Sequence, residues 1–136
     1  MSVLVYIESS NGQIKKTGLE VAYYAAKVAQ SLGKESTAIL IGKASDPGIV
    51  GKYGVSKVKH INPDQSIEFD SQIFTGIIAQ SVDDIKAEIV ILANTANGKA
   101  LTGRLAIRLE AGNVSGVNSL PDVSDGFVIN KSVYSG

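Results

Sequence analysis

Residues 91–101, Ile-Leu-Ala-Asn-Thr-Ala-Asn-Gly-Lys-Ala-Leu, are the stretch of this sequence that comes nearest to phosphate chemistry. A Walker-type loop needs G-x-x-x-x-G-K-[ST], because its backbone N–H groups wrap the phosphates and its hydroxyl ligates magnesium. Gly98 and Lys99 fit that frame, but Ala93 stands where the first glycine belongs and Ala100 has no oxygen to offer a metal. What survives is a helix start, whose free amides carry partial positive charge. Asn97, Gly98 and Lys99 are therefore candidates for a weak anion site.

Other chemistries fall away by residue type. There is no cysteine, which removes thiolate nucleophiles, disulfides and cysteine-ligated metals together. The single histidine, His60, stands beside Ile61 and reads as a strand-end residue, since a zinc site draws on three or four converging ligands. With one imidazole and no G-x-S-x-G turn, a hydrolytic triad has no parts. Asp83 and Asp84 are adjacent, so on a helix they point apart and serve a solvated face. Lys15 and Lys16 form a small basic loop. Arg104 and Arg108 stand one helical turn apart, where local pairing and solubility explain them and docking is the alternative. Tyr23 and Tyr24 read as core or rim packing of a helix.

Cofactor loops fare no better. A dinucleotide fold would place G-x-G-x-x-G after its first strand, where this chain has Ser9, Ser10, Asn11 and a lone Gly12. Those hydroxyls are also too few for a flavodoxin-type phosphate loop. The glycines at 98, 103, 112 and 116 do not reproduce the late pattern of universal-stress-type ATP binders.

The chain has 136 residues, 44% hydrophobic and 19% charged, a globular composition of a size suited to one core. Thirteen basic residues balance thirteen acidic ones, which argues against a broad footprint for nucleic acid or anionic membrane. The opening Met-Ser-Val-Leu-Val-Tyr-Ile-Glu is too short an apolar run for a signal-peptide core, and no run approaches a membrane span. A cytoplasmic protein without membrane insertion is expected.

The elements that must position these residues are marked by apolar patterning. Residues 3–8 form a β-branched and aliphatic run, as in a strand buried on both faces. A polar loop follows. Thr17 and Glu20 make a capping-box pattern ahead of Val21, Ala25, Val28, Ala29 and Leu32, with Gly33 as the stop, so a helix is expected over 17–32. Residues 36–42 read as a second strand and 55–61 as a third, more polar and nearer an edge. Helical spacing of Phe74, Ile77, Ile78, Val82 and Ile85 predicts a helix over 70–86. Residues 88–93 are a fourth strand, and a helix over 98–111, capped by Asn97 and ended by Gly112, carries Leu101, Leu105 and Leu109 on one face. The remainder mixes short strands with turns. Alternating strands and helices predict a three-layer α/β/α sandwich on a mostly parallel sheet, first strand interior, in the order 3-2-1-4-5.

Taken in order, "SVLVYIE", "KKTGLEVAYYAAKVA", "TAILIG", "YGVSKV", "VILANTANGKALTGRLAIRL" and "KSVYSG" resemble the N-terminal domain of the electron transfer flavoprotein alpha subunit. Its most distinctive part is Thr95, Gly98, Lys99, Leu101 and Arg104. The resemblance implies a Rossmann-like, adenine-nucleotide-alpha-hydrolase-like fold, with 1–136 as one N-terminal domain and the FAD-binding domain following it, outside this chain. It further implies a heterodimer with the beta subunit, which often holds AMP, and electron flow from dehydrogenases through FAD to a quinone reductase or another acceptor. On that reading this segment is a non-catalytic assembly domain that binds no cofactor. The alternatives are an adenine-nucleotide-binding domain or small nucleotide hydrolase using residues 95–99, and a flavin module in its own right.

Overall fold

The computed structural model describes residues 2–109, 112–115 and 127–131. Its central sheet has the order β5-β4-β1-β6-β8-β7 and every pairing in it is parallel. The strands are β1 (Ser2–Tyr6), β4 (Glu35–Ile41), β5 (Lys57–Ile61), β6 (Ala87–Ala93), β7 (Gly112–Ser115) and β8 (Phe127–Lys131). β2 (Ser9–Ser10) and β3 (Gln13–Ile14) form a separate small hairpin. The helices are α1 (Lys16–Leu32), α2 (Ile49–Lys52), α3 (Ser71–Ile85) and α4 (Ala96–Arg108).

Strand alternation sorts the core into two halves. Val3 and Val5 of β1, Ala38 and Leu40 of β4, and Ile89 and Ile91 of β6 face α1, where Val21, Ala22, Ala25 and Val28 complete one core. Leu4, Tyr6, Ile39, Ile41, Val90 and Leu92 face the other way, onto Phe74 and Ile78 of α3 and Leu101 and Leu105 of α4. A period of two along each strand thus supplies both faces of the expected three-layer sandwich. All five residues of β1 are buried, in keeping with a strand covered by helices on both sides.

The expected order holds for the first four strands of the central sheet. Beyond β6 the chain does not place its next strand: β8 pairs with β6, and the short, polar β7 is left at the edge. The more apolar Phe-Val-Ile-Asn-Lys segment takes the interior place in the strand order, and Gly-Asn-Val-Ser takes the edge. β5 is the opposite edge, as its polar composition predicted.

Helix ends depart from expectation in informative ways. Thr17 and Glu20 form no capping box. The N-cap is Lys15, without a side-chain cap bond, and the helix starts at Lys16. Gly18 lies so close to the chain just after β1 that a Cβ there would stand 3.0 Å from Ile7 Cγ2 and 3.3 Å from Glu8 O, so packing sets the start of the helix. The Thr17 hydroxyl is left buried without a partner among the described residues. Gly33 does end α1, with φ 66°, as the sequence indicates. In α3, Asp70 caps the first turn by accepting from the Gln72 and Ile73 amides. α4 begins at Ala96, and its cap is Thr95, not Asn97. Gly112 does not stop that helix; α4 ends at Arg108 and Gly112 opens β7. Residues 110 and 111 of the expected helix, and the turns expected between β7 and β8, lie outside the described residues.

Candidate functional site

From β1 the chain moves to β4 and β5 on one side, then crosses to β6 on the other. The reversal leaves a crevice at the carboxyl ends of β1 and β6, the place where open parallel sheets of this kind hold ligands. The loops leaving both strands meet there.

Glu8 follows β1 and is 3% exposed. One carboxylate oxygen accepts from the Lys15 ammonium at 3.1 Å. The other accepts the hydroxyl proton of Thr95, which follows β6. The Thr95 oxygen in turn accepts from the Gly98 amide at 3.0 Å and so caps α4. Gly98 closes the arrangement sterically, because a Cβ at that position would overlap the Ala93 carbonyl oxygen. The Gly98 carbonyl then accepts from the Thr102 hydroxyl at 2.7 Å. The negative charge beside this positive helix terminus is the protein's own.

The small hairpin sits over the same end. Asn11 and Gly12 both have positive φ, 53° and 75°, which is the two-residue type I′ turn. Lys15 N–H donates to the Glu8 carbonyl at 3.1 Å, closing the hairpin's base, and the Gly12 carbonyl accepts from the Ser45 amide at 2.7 Å, tying its tip to the loop after β4. Between hairpin, β4 and the 66–69 segment lies a cleft of about 510 Å³, whose wall includes Ser9, Ser10, Lys15, Lys43, Phe69 and Asn97. It offers hydroxyls, amides and ammonium groups but no nucleophile set against a base, so the arrangement suits binding more than bond-making.

The three anion-site candidates are separated by the fold. Asn97 lines the cleft. Gly98 is buried with its amide engaged by Thr95. Lys99 is exposed, uses its backbone amide on the Thr95 carbonyl at 2.8 Å, and takes no part in the cleft wall. Glu8 was not singled out by its sequence, although a lone acid closing an apolar strand was a usable signal. Thr95 could have been found as an N-cap three residues before Gly98.

Other sequence candidates lie elsewhere. His60 Nε2 donates to the Gly42 carbonyl at 2.7 Å. Asp84 accepts from Gln80 at 2.9 Å and Lys59 at 3.0 Å, and those hydrogen bonds, Gln80's first, hold its carboxyl below the ordinary value. Tyr6, at the end of β1, has its phenol pKa pushed well above the usual value by burial and, secondarily, by the Glu8 charge. Among the described residues no group of three or more His, Asp or Glu side chains is arranged to hold a metal, and no helix is long and apolar enough to cross a membrane. A larger groove of about 730 Å³ opens where β4 begins, lined by Tyr23, Lys27, Lys52 and Tyr53; it is remote from Glu8 and Thr95. Tyr23 there is half exposed, with the Lys27 ammonium 5.4 Å from its ring centre.

Comparison with known proteins agrees with this architecture. The universal stress protein from Archaeoglobus fulgidus is similar in fold, with a TM-score of 0.52 at 13% identity over 96% of this chain and 98% of that one. The electron transfer flavoprotein subunit alpha of Clostridium acetobutylicum is 28% identical over 120 residues, 87% of this chain and 36% of the relative. That of Syntrophomonas wolfei is 24% identical over 134 residues, 97% of this chain and 41% of the relative. The chain thus spans about two-fifths of the length of the relatives it matches. The model of the electron transfer flavoprotein domain matches residues 3–136. The chain belongs to the electron transfer flavoprotein domain family, as an alpha-subunit N-terminal domain.

Proposed function

We propose that this chain is the non-catalytic assembly domain of an electron carrier. It would pack against an electron transfer flavoprotein beta subunit and form part of the base on which a flavin domain sits. In the assembled carrier FAD would be held mainly by the region that follows this domain in its relatives, with AMP in the beta subunit. Electrons would pass from dehydrogenases to a quinone reductase or another acceptor in a cytoplasmic setting.

The observation that carries the reading is the Glu8–Thr95–Gly98 network. At the position where this fold would receive a ligand's phosphate, the buried Glu8 carboxylate stands against the cap of α4, and the Gly98 amide is already used. An incoming anion would meet a like charge. The segment is therefore built to hold its own loops together, which suits a scaffold.

Two measurements test this. Co-expression with the beta subunit and the full alpha partner region of its own genome should give a complex that retains visible flavin absorbance through gel filtration. The chain alone, mixed with FAD, should elute colourless. Stoichiometric flavin on the isolated chain would overturn the reading in favour of an independent flavin module.

One observation favours a second reading, adenine-nucleotide binding: Asn97 borders a 510 Å³ cleft that also presents Lys43. On that reading AMP or ATP raises the melting temperature of the chain, and Lys43→Ala abolishes the rise. No nucleotide-dependent shift leaves the assembly reading standing.

A further inference from the structure

The outer face of α3 and α4 carries a groove of about 410 Å³ lined by Gln72, Thr75, Arg104, Ile107 and Arg108. The two arginines are four residues apart on α4, about 6 Å along the helix axis. Among the described residues, the ion pairs all use lysines, Lys15, Lys34, Lys57 and Lys59, so neither guanidinium meets a carboxylate. Among the described residues no acidic side chain lines the groove. Arg108 lies along α3, where a Cβ on Gly76 would stand 3.7 Å from its Nη1, an ordinary van der Waals contact.

Two further observations fall on this face. The Thr75 hydroxyl is buried, in a residue 3% exposed, and has no hydrogen-bond partner among the described residues. Ile107, which lines the groove, is 82% exposed, the highest value among the large aliphatic side chains of the described residues. Apolar exposure beside arginines that meet no carboxylate among the described residues is the composition of a protein-contact surface: arginine is enriched there, and its planar fork pairs bidentately with carboxylates.

We propose that the α3–α4 face docks an acidic amphipathic helix of a protein partner, with two carboxylates one helical turn apart meeting Arg104 and Arg108 and an aliphatic side chain covering Ile107. Carboxylates at i and i+4 on a helix are about 5–6 Å apart, which matches the arginine spacing. A membrane surface is the poorer occupant, since headgroup binding draws on clusters of roughly four to eight basic residues. The identity of the partner rests on the assembly reading, but the chemistry of the surface does not.

The test uses a fluorescein-labelled helical peptide of roughly 15 residues, long enough for marginal helicity, with Glu at i and i+4 and Leu on the same face. Anisotropy titration should show saturable binding to the whole chain. Exchanging both Glu for Gln in the peptide, or introducing Arg104→Glu with Arg108→Glu in the chain, should weaken binding at least about tenfold, a change of about 1.4 kcal/mol. Lys27→Glu with Lys52→Glu, at the distant groove, should leave it within about twofold. Circular dichroism of the arginine variant should match the parent, because both side chains are exposed. Absence of saturable binding, equal loss in the lysine variant, or binding confined to phosphatidylglycerol vesicles would each overturn the proposal. The titration does not depend on whether the beta subunit co-purifies, so failure here and failure of the assembly reading are read separately.

Discussion

The Thr95 hydroxyl donates to the buried Glu8 carboxylate across a separation of 87 residues, joining the ends of β1 and β6 at the point where the sheet reverses its order. The same oxygen accepts from Gly98 and caps α4. One threonine thus links sheet, helix start and buried charge, and its loss should be felt by all three.

Thr95→Ala should destabilise the chain by about 2–4 kcal/mol, combining a lost helix cap with a buried carboxylate oxygen left without a donor. Asn97→Ala, although it alters a residue that the sequence suggested as the cap, should cost less than about 0.5 kcal/mol. Urea unfolding of both variants measures the difference. Equal losses would mean that Asn97 shares the capping role.

Two glycines of α4 should respond in opposite directions. Gly98→Ala forces a Cβ into the Ala93 carbonyl and should cost more than about 3 kcal/mol. Gly103 is exposed, and a Cβ there meets nothing within 4 Å, so Gly103→Ala should stabilise by about 0.5–1 kcal/mol through helix propensity and reduced unfolded-state entropy. Thermal melts of the pair decide it.

Tyr6 introduces an alkaline limb. Its phenol pKa is raised in the folded state by burial and by Glu8, so stability is fully present below the unfolded value of about 10 and falls as pH rises above it. Stability measured from pH 8 to 11 should decline less steeply in Tyr6→Phe than in the parent. Parallel declines would show that the phenol ionises in the folded chain as freely as in the unfolded one.

Asp84 acts at the other extreme. Hydrogen bonds from Gln80 and Lys59 lower its pKa from the ordinary 3.8, so its contribution is present above that value and is lost as pH falls through the folded one. Because the group is exposed, salt and solvent keep the effect small. Asp84→Asn should narrow its stability difference from the parent below pH 4, and added salt should shrink the difference at neutral pH. A salt-insensitive gap would point to a role other than pairing.

Most of the architecture was legible from local pattern. Buried parallel strands announce themselves as β-branched runs and helices as a 3.6-residue period, and both signals depend on neighbours along the chain. Gly33 ended its helix because a left-handed φ is cheapest for glycine, a local rule that needs no tertiary context. Residues 9–14, expected as a polar loop, instead form the small hairpin; Asn11-Gly12 held its turn signal, but strands of only two residues each leave no alternating pattern to read.

What the sequence by itself determined, then, was the main strands and helices, their alternation, the family likeness and the two-faced core. The tertiary structure decided where α1 starts, since contact of Gly18 with Ile7 and Glu8 overrode the Thr17–Glu20 pattern. It also decided that β8 would stand between β6 and β7, a competition between two short segments for one interior position. Above all it decided the partner of Glu8. A carboxylate at the end of a strand carries no record of which distant hydroxyl will meet it. That pairing exists only because parallel strands bring the loops after β1 and β6 to one end of the sheet.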